Sequence, residues 1–204
     1  MERRGIVWRQ GQRFIAHTAT ALTDLIFPPW CLSCYQPGGW LCADCRGDSP
    51  LLPLGWCGSC GRRAPSLTTL CQRDARALHL TRGISAWSYQ GSIEQVIQAI
   101  KYRSACVGLA ALVTEEIRVR LTAAVPAGAH WVPIPLKSAH HKERGFNQAH
   151  EFARLLVPPG QIDQHHLIRT QDVPAQVGLT RSSRLTNMEG VFRWNGLNLA
   201  GQTV

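Results

Sequence analysis

At 204 residues the chain has room for one well-packed domain and a smaller second one, and its hydrophobic fraction of 45% is ordinary for a globular protein. The formal net charge of +9 is spread along the chain, and such a surface attracts polyanions: nucleic acid, phosphorylated metabolites or an anionic membrane. No run approaches the roughly 20 apolar residues that a membrane span needs, so no transmembrane segment is predicted.

Residues 1–27 open with arginines and continue into a moderately apolar stretch. Apolar residues recur in it at helical spacing, which predicts an N-terminal amphipathic helix that ends at Pro28. Polar residues interrupt the stretch and no small-residue cleavage site follows, so it is not typical of a secretion signal. We therefore expect a cytoplasmic protein, in which cysteines stay reduced.

Seven of the eight cysteines lie between residues 31 and 71, as three Cys-x-x-Cys pairs followed by Cys71. Each pair places two thiolates on a tight turn, at about the separation of two corners of a zinc tetrahedron. The surrounding segment, 28–80, is rich in Gly and Pro and cannot build a core by itself. Bound Zn2+ would supply its stability, on the order of 10 kcal/mol per site.

The spacing suggests two ligand sets. The first is complete: Cys31, Cys34, Cys42 and Cys45. In the second, Asp74 stands where a fourth thiolate is expected, a less common structural ligand, which gives Cys57, Cys60, Cys71 and Asp74. Interleaved pairing, with Cys31 and Cys34 joined to Cys57 and Cys60, remains an alternative. A closed site leaves no open coordination position, so we expect these sites to be structural and not catalytic.

From residue 81 onward, apolar periodicity predicts alternating strands and helices, and hence an α/β sheet. The predicted strands cover residues 84–89, 131–135, 167–169 and 191–194. The predicted helices cover residues 107–121 and 146–156, together with one that starts at a capping box of Ser92 and Gln95.

A strand, a cationic loop and a helix start follow one another between Val132 and Gln148. Backbone N–H groups and the helix dipole would face an anion there, and side-chain cations would close around it. The candidate phosphate- or pyrophosphate-binding residues are Lys137, Lys142, Arg144, Gly145 and Asn147. The alternative is a solvated basic loop. Another basic group, which alone would be typical of an ordinary surface, comprises Arg181, Arg184 and Asn187.

Several of these segments together resemble the ComF family. The resemblance rests on Asp24-Leu-Ile-Phe-Pro-Pro-Trp-Cys31 before the cysteine pairs, on Val132-Pro-Ile-Pro135 with Arg144-Gly-Phe-Asn-Gln148, and on Gln176-Val-Gly-Leu-Thr-Arg181 with Arg184-Leu-Thr-Asn187. It implies a double zinc ribbon over residues 28–80, joined to a type I phosphoribosyltransferase-like parallel sheet over residues 81–204. The loop at 181–187 would then be a substrate loop.

The same resemblance implies a role in natural competence, DNA uptake or DNA utilisation, with single-stranded DNA or a nucleotide as partner. A DNA-uptake helicase or a recombination protein is a further possible partner. In the family, an Asp-Asp and Thr-Thr-Gly loop holds phosphoribosyl pyrophosphate (PRPP). The chain ends at Val204, where the strand leading to that loop would begin, so we expect the sheet to be incomplete and Mg2+ with PRPP to require the missing part. The rival hypothesis is a non-catalytic zinc-ribbon module that binds nucleic acid or a partner protein.

Overall fold

A computed structural model describes residues 28–103, 105–123, 125–174, 176, 178–200 and 202–204. The predicted amphipathic helix over 1–27 lies outside the described residues. In chain order, the helices are α1 (Ala43–Gly47), α2 (Gln72–Ala77), α3 (Gly91–Tyr102), α4 (Val107–Leu112), α5 (Glu115–Thr122), α6 (Ser138–Arg144), α7 (Gln148–Leu156) and α8 (Arg181–Asn187). A 3-10 turn covers Pro159–Gln161, and the strands are β1 (Leu167–Arg169) and β2 (Phe192–Trp194).

The longest helix, α3, buries one face that the sequence pattern predicts. Ile93, Val96 and Ile100 are buried, at the i, i+3 and i+7 spacing of a single helix face. They pack with Leu109 and Leu112 of α4, and the same apolar cluster continues into Cys31, Leu41 and Cys45 of the cysteine-rich segment. The main core of the described residues therefore joins the first cysteine cluster to the helical part.

The described sheet is smaller than predicted and its direction differs. β1 and β2 pair antiparallel, with Leu167 opposite Trp194 and Arg169 opposite Phe192. Neither 84–89 nor 131–135 forms a strand. Trp87 and Trp131 each make a single bridge, to Leu51 and Ile162 respectively. These two segments lack a continuous neighbour to complete their backbone hydrogen bonds, so the parallel phosphoribosyltransferase-like sheet is not seen in the described residues.

Two of the helix predictions need correction. The predicted helix at 107–121 is two helices, because Thr114 caps a new one by accepting a hydrogen bond from Ile117 N at 3.4 Å. The predicted capping box is absent, because the N-cap of α3 is Gln90, two residues before Ser92. Ser92 and Gln95 instead contact Ser33 Oγ, at 3.0 and 2.7 Å.

The segment between 136 and 145, predicted as a loop, contains helix α6. Its last turn closes with Gly145 N donating to the carbonyl of His141 at 2.9 Å. Gly145 takes φ 76°, the left-handed conformation that commonly ends a helix and that glycine adopts without steric cost. Asn147 then starts α7 by accepting a hydrogen bond from Ala149 N at 2.9 Å. Among the helices of the described ranges, none is long and apolar enough to cross a membrane.

Candidate metal centres

The first cysteine pair lies on a turn whose backbone hydrogen bonds fix both sulfurs. Cys31 N donates to the carbonyl of Gln36 at 2.8 Å, and Tyr35 N donates back to the carbonyl of Cys31 at 2.9 Å. Tyr35 takes φ 60° so that the chain can reverse, and Trp30 bridges Pro37 across the turn. The result is a short knuckle that presents the side chains of Cys31 and Cys34 to the same side.

The second pair of the first set comes from the start of a helix. Cys42 is the N-cap of α1, and Cys45 follows one turn later on the same face. All four ligand atoms, from Cys31, Cys34, Cys42 and Cys45, lie within 4.8 Å of one another. The separation of Cys34 Sγ and Cys42 Sγ is 3.7 Å. A zinc tetrahedron with Zn–S bonds of about 2.3 Å has S···S edges of about 3.8 Å, so this donor set fits zinc.

Residues 56–74 repeat this architecture. Trp56 bridges Arg63 as Trp30 bridges Pro37, and Cys57 N donates to the carbonyl of Arg62 at 2.8 Å. Gly61, with φ 67°, occupies the position of Tyr35. Cys71 is the N-cap of α2, as Cys42 is of α1. The segment is therefore an internal duplication of a knuckle and a helix start, and the matching Trp-Cys-x-x-Cys sequences at 30 and 56 are the signal that could have revealed it.

The duplicated helix start brings a carboxylate into the second cluster. Asp74 follows Cys71 as Cys45 follows Cys42, and the four ligand atoms of Cys57, Cys60, Cys71 and Asp74 lie within 4.8 Å of one another. Cys60 Sγ and Cys71 Sγ are 3.6 Å apart, and Cys57 Sγ donates to Asp74 Oδ2 at 3.4 Å. Both clusters thus assemble in chain order and not by interleaving, and both could hold a metal ion.

The environment of the first cluster lowers the pKa of some of its thiols and raises the pKa of others. Burial raises the pKa of Cys31, but backbone N–H groups of Cys34 and Cys42 outweigh it and lower that pKa to about 6. The backbone N–H of Gln36 lowers the pKa of Cys34, but desolvation by neighbouring atoms and the thiols of Cys45, Cys42 and Cys31 outweigh it and raise that pKa to about 12. The four sulfurs therefore do not all ionise near neutral pH without a cation, and a bound divalent metal would supply that positive charge.

The first cluster is also held by the helical region. The hydroxyl of Ser33 lowers the pKa of the Cys45 thiol, and the hydroxyl of Ser92 on α3 lowers it by a smaller amount. Ser33 itself bonds to Gln95 of α3. Hydrogen bonds from outer residues orient metal ligands, so α3 is part of the support of this centre.

The predicted anion-binding residues lie on and around α6, and several of their polar groups already have protein partners. Asn147 Nδ2 donates to the carbonyl of Ile134 at 3.0 Å, and Lys137 Nζ donates to the carbonyl of Val173. Arg144 Nη1 donates to Gln148 Oε1 at 3.2 Å, whereas its Nε is buried with no hydrogen-bond partner among the described residues. Lys142 is exposed near the end of α6.

The second basic group forms a helix where the resemblance implied a loop. Arg181, Arg184 and Asn187 all belong to α8, and Arg181 begins it. Arg184 Nε donates to the carbonyl of Leu179 at 3.0 Å, and Asn187 Nδ2 donates to the carbonyl of Pro174 at 3.3 Å. The phosphate-binding and substrate-loop roles of both basic groups remain predictions.

The comparisons with known proteins give one relevant similarity. Over 143 residues, 28% are identical to the competence protein ComFC of Bacillus subtilis (strain 168). The match covers 66% of this chain and 57% of ComFC, so the chain spans little more than half of that relative. No protein-family model and no solved structure matches the chain. The similarity to ComFC, together with two cysteine clusters that fit a zinc ribbon, supports the sequence-based assignment of this chain to the ComF family.

Proposed function

We propose that the chain acts in natural competence or DNA utilisation, as a ComF-like protein that handles single-stranded DNA or a phosphoribosylated nucleotide. The observation that carries this proposal is the similarity to ComFC over 143 residues. The net charge of +9 agrees with a polyanionic partner. In this proposal residues 81–204 form part of a phosphoribosyltransferase-like unit, and the two metal centres hold the ribbon rigid beside it.

The nucleotide half of the proposal points to the basic residues around α6. The Nε of Arg144, which has no hydrogen-bond partner among the described residues, is a donor that an anionic oxygen would satisfy, and Lys142, two residues earlier on α6, offers a second positive charge. Lys137 and Asn147 would position the backbone through their bonds to carbonyl groups. The phosphate or pyrophosphate group of a bound nucleotide would then lie against these residues.

A test uses the full chain, equilibrium dialysis and labelled inorganic pyrophosphate. We expect saturable binding that Arg144→Gln weakens by about tenfold, the usual effect of losing one charge-assisted hydrogen bond. Lys101→Gln, on helix α3 and outside this basic group, is the matched control and should leave binding unchanged. No saturable binding, or equal loss in the control, would count against phosphate binding by these residues.

A second candidate is a non-catalytic ribbon that binds single-stranded nucleic acid. A specific observation favours it: Trp56 is 43% exposed, and the Arg63 guanidinium lies 4.7 Å from its ring centre. Trp56 belongs to the second ribbon, residues 56–74. In the first ribbon, residues 30–45, Trp30, Tyr35 and Trp40 are exposed. Bases stack on such rings with roughly 1–3 kcal/mol each, and the cations contact the phosphates.

The experiment for this candidate is fluorescence anisotropy of the full chain with labelled oligo(dT). Binding should weaken steeply between about 50 and about 200 mM salt, and Trp56→Ala should cost about five- to a hundred-fold in Kd. Tyr89, 55% exposed with Lys101 5.7 Å from its ring centre, is an aromatic–cation pair outside the ribbons, so Tyr89→Ala is the control. DNA binding without pyrophosphate binding would favour this candidate. Loss of both would leave recruitment of a partner protein as the surviving hypothesis.

A further inference from the structure

The second cluster departs from the first at Asp74, the residue equivalent to Cys45. The Asp74 side chain is 4% exposed, and a carboxylate so buried requires partners for both of its oxygens. Oδ1 has two donors on one side: Arg73 Nε and Nη2, each at 3.2 Å. Oδ2 faces the other way, 3.4 Å from Cys57 Sγ and within the cluster of sulfurs.

This division of the two oxygens has a chemical consequence. Because both nitrogens of the Arg73 fork contact Oδ1, only Oδ2 is directed toward the centre of the cluster. A carboxylate held in this way can bind a metal through one oxygen while an outer residue holds the second, as partners of metal ligands commonly do. Zn–O bonds of about 2.1 Å and Zn–S bonds of about 2.3 Å give O···S edges of about 3.6 Å, close to the distance present.

We propose that the second cluster is a mixed zinc site in which Asp74 Oδ2 is the fourth ligand, Arg73 is its positioning residue, and the metal exchanges faster than at the first cluster. The mixed set has one hard oxygen donor among soft thiolates, and the Arg73 charge draws electron density from that carboxylate. The first cluster has four thiolates, and two of them, Cys31 and Cys45, belong to the apolar core with α3. This inference is independent of the role in competence.

The first test counts ligands with Co2+ in the full chain. Two ions should bind per chain, with a charge-transfer absorbance that corresponds to seven thiolates, four in the first set and three in the second. Asp74→Cys should raise that absorbance by about one-seventh and shift the ligand-field bands of one ion. Asp74→Asn should weaken the binding of one of the two Co2+ ions and leave the binding of the other unchanged. A spectrum that both variants leave unchanged would overturn Asp74 as a ligand.

The second test follows Zn2+ release to a chelating dye. We expect two phases of equal size in the native chain, and the faster phase should slow in Asp74→Cys. Arg73→Gln should weaken the fast site by about 10–100-fold, the usual cost of losing the outer partner of a ligand. Arg76→Gln, an exposed arginine on the same helix, is the matched control and should leave both phases unchanged.

Variants that fail to fold are identified by loss of both phases and of the far-ultraviolet helix signal. In that case Asp74→Glu, which keeps a carboxylate on a longer side chain, replaces them in both tests. It should still bind two metal ions per chain, and the rate of its faster Zn2+ release phase should differ from that of the native chain. A single equivalent of zinc in the native chain, or one release phase unaffected by Arg73→Gln and Asp74→Cys, would overturn the proposal.

Discussion

Leu32 in the first ribbon and Gly58 in the second follow the first cysteine of their knuckles, and both donate equivalent backbone hydrogen bonds. The side chain of Leu32 contacts Gly108 of α4 so closely that a Cβ atom added to Gly108 would lie 2.7 Å from Leu32 Cδ1. Gly58 has no side chain and lies against Leu52 of its own segment. The same backbone unit is therefore packed against α4 in one copy, whereas in the other it is bonded to the segment before α3, where Thr69 N donates to the carbonyl of Gly83 at 2.9 Å. The residue after the first cysteine is thus one of the contacts that distinguish how the two centres attach to the rest of the protein.

The largest expected difference is between loss of a ligand in each ribbon. Cys31→Ser removes a ligand that also lies in the core, and metal binding worth on the order of 10 kcal/mol is comparable with the whole net stability of a typical domain. We expect this variant to lose cooperative unfolding. Cys57→Ser should release one zinc ion and keep helices α3 to α7. Circular dichroism with metal analysis measures both, and equal loss of helix in the two variants would remove the asymmetry.

A smaller effect tests the packing at the equivalent positions. Leu32→Ala should lower the free energy of unfolding by about 2 kcal/mol, because a partly buried leucine leaves a gap beside Gly108. Gly58→Ala should change it by less than about 1 kcal/mol, since the new Cβ would meet the flexible end of Leu52, at 3.3 Å, and otherwise make an ordinary contact with the carbonyl oxygen of Thr69, at 4.0 Å. Urea denaturation in excess zinc measures both. A larger loss for Gly58→Ala would contradict the comparison.

The antiparallel pair of β1 and β2 is a reference region that contains no ligand of either metal cluster. Asp163 Oδ1 accepts hydrogen bonds from His165 N and His166 N, at 3.0 and 3.1 Å, before β1 begins. Burial alone would raise the pKa of Asp163, but these bonds and the His166 side chain outweigh it and hold that pKa below 3.8. A depressed carboxyl pKa contributes stability that is fully present above pH 3.8 and is lost as the pH falls through the lower, folded value.

Asp163→Asn should therefore cost about 1 kcal/mol at neutral pH, and the difference from the native chain should vanish in acid. The free energy of unfolding, measured as a function of pH in both proteins, checks this. Zinc content should be the same in the two proteins at neutral pH. A difference that persists unchanged below the folded pKa would show that the carboxylate charge is not the cause.

The smallest expected effect concerns a bond that exists in one ribbon alone. Arg103 Nη1 donates to Tyr35 Oη at 2.7 Å, whereas the second ribbon has Gly61 in the place of Tyr35. Tyr35→Phe should cost about 0.5 kcal/mol, because the bond is exposed and water replaces it. A double-mutant cycle with Arg103→Gln isolates the hydroxyl contribution, and a coupling energy of zero would show that this bond adds nothing to the attachment of the first ribbon.

The sequence by itself indicated the candidate ligand residues and the buried face of α3, because cysteine spacing and helical periodicity act within a few residues. It also indicated the resemblance to the ComF family, through short motifs that occur along the chain in the family's order. It did not predict that residues 136–145 contain a helix, since a left-handed Gly145 and the Asn147 cap together fix that boundary.

Tertiary structure decided the strand pairing, the grouping of the ligands and the environment of each cluster. Residues 84–89 and 131–135 have strand-like sequences, but extended backbone becomes a strand only beside a partner of matching length. The grouping of ligands in chain order required the two helix starts to fold back onto their knuckles. The orientation of Asp74 by Arg73, and the packing of Leu32 on Gly108, depend on contacts between side chains whose spatial arrangement no local pattern encodes.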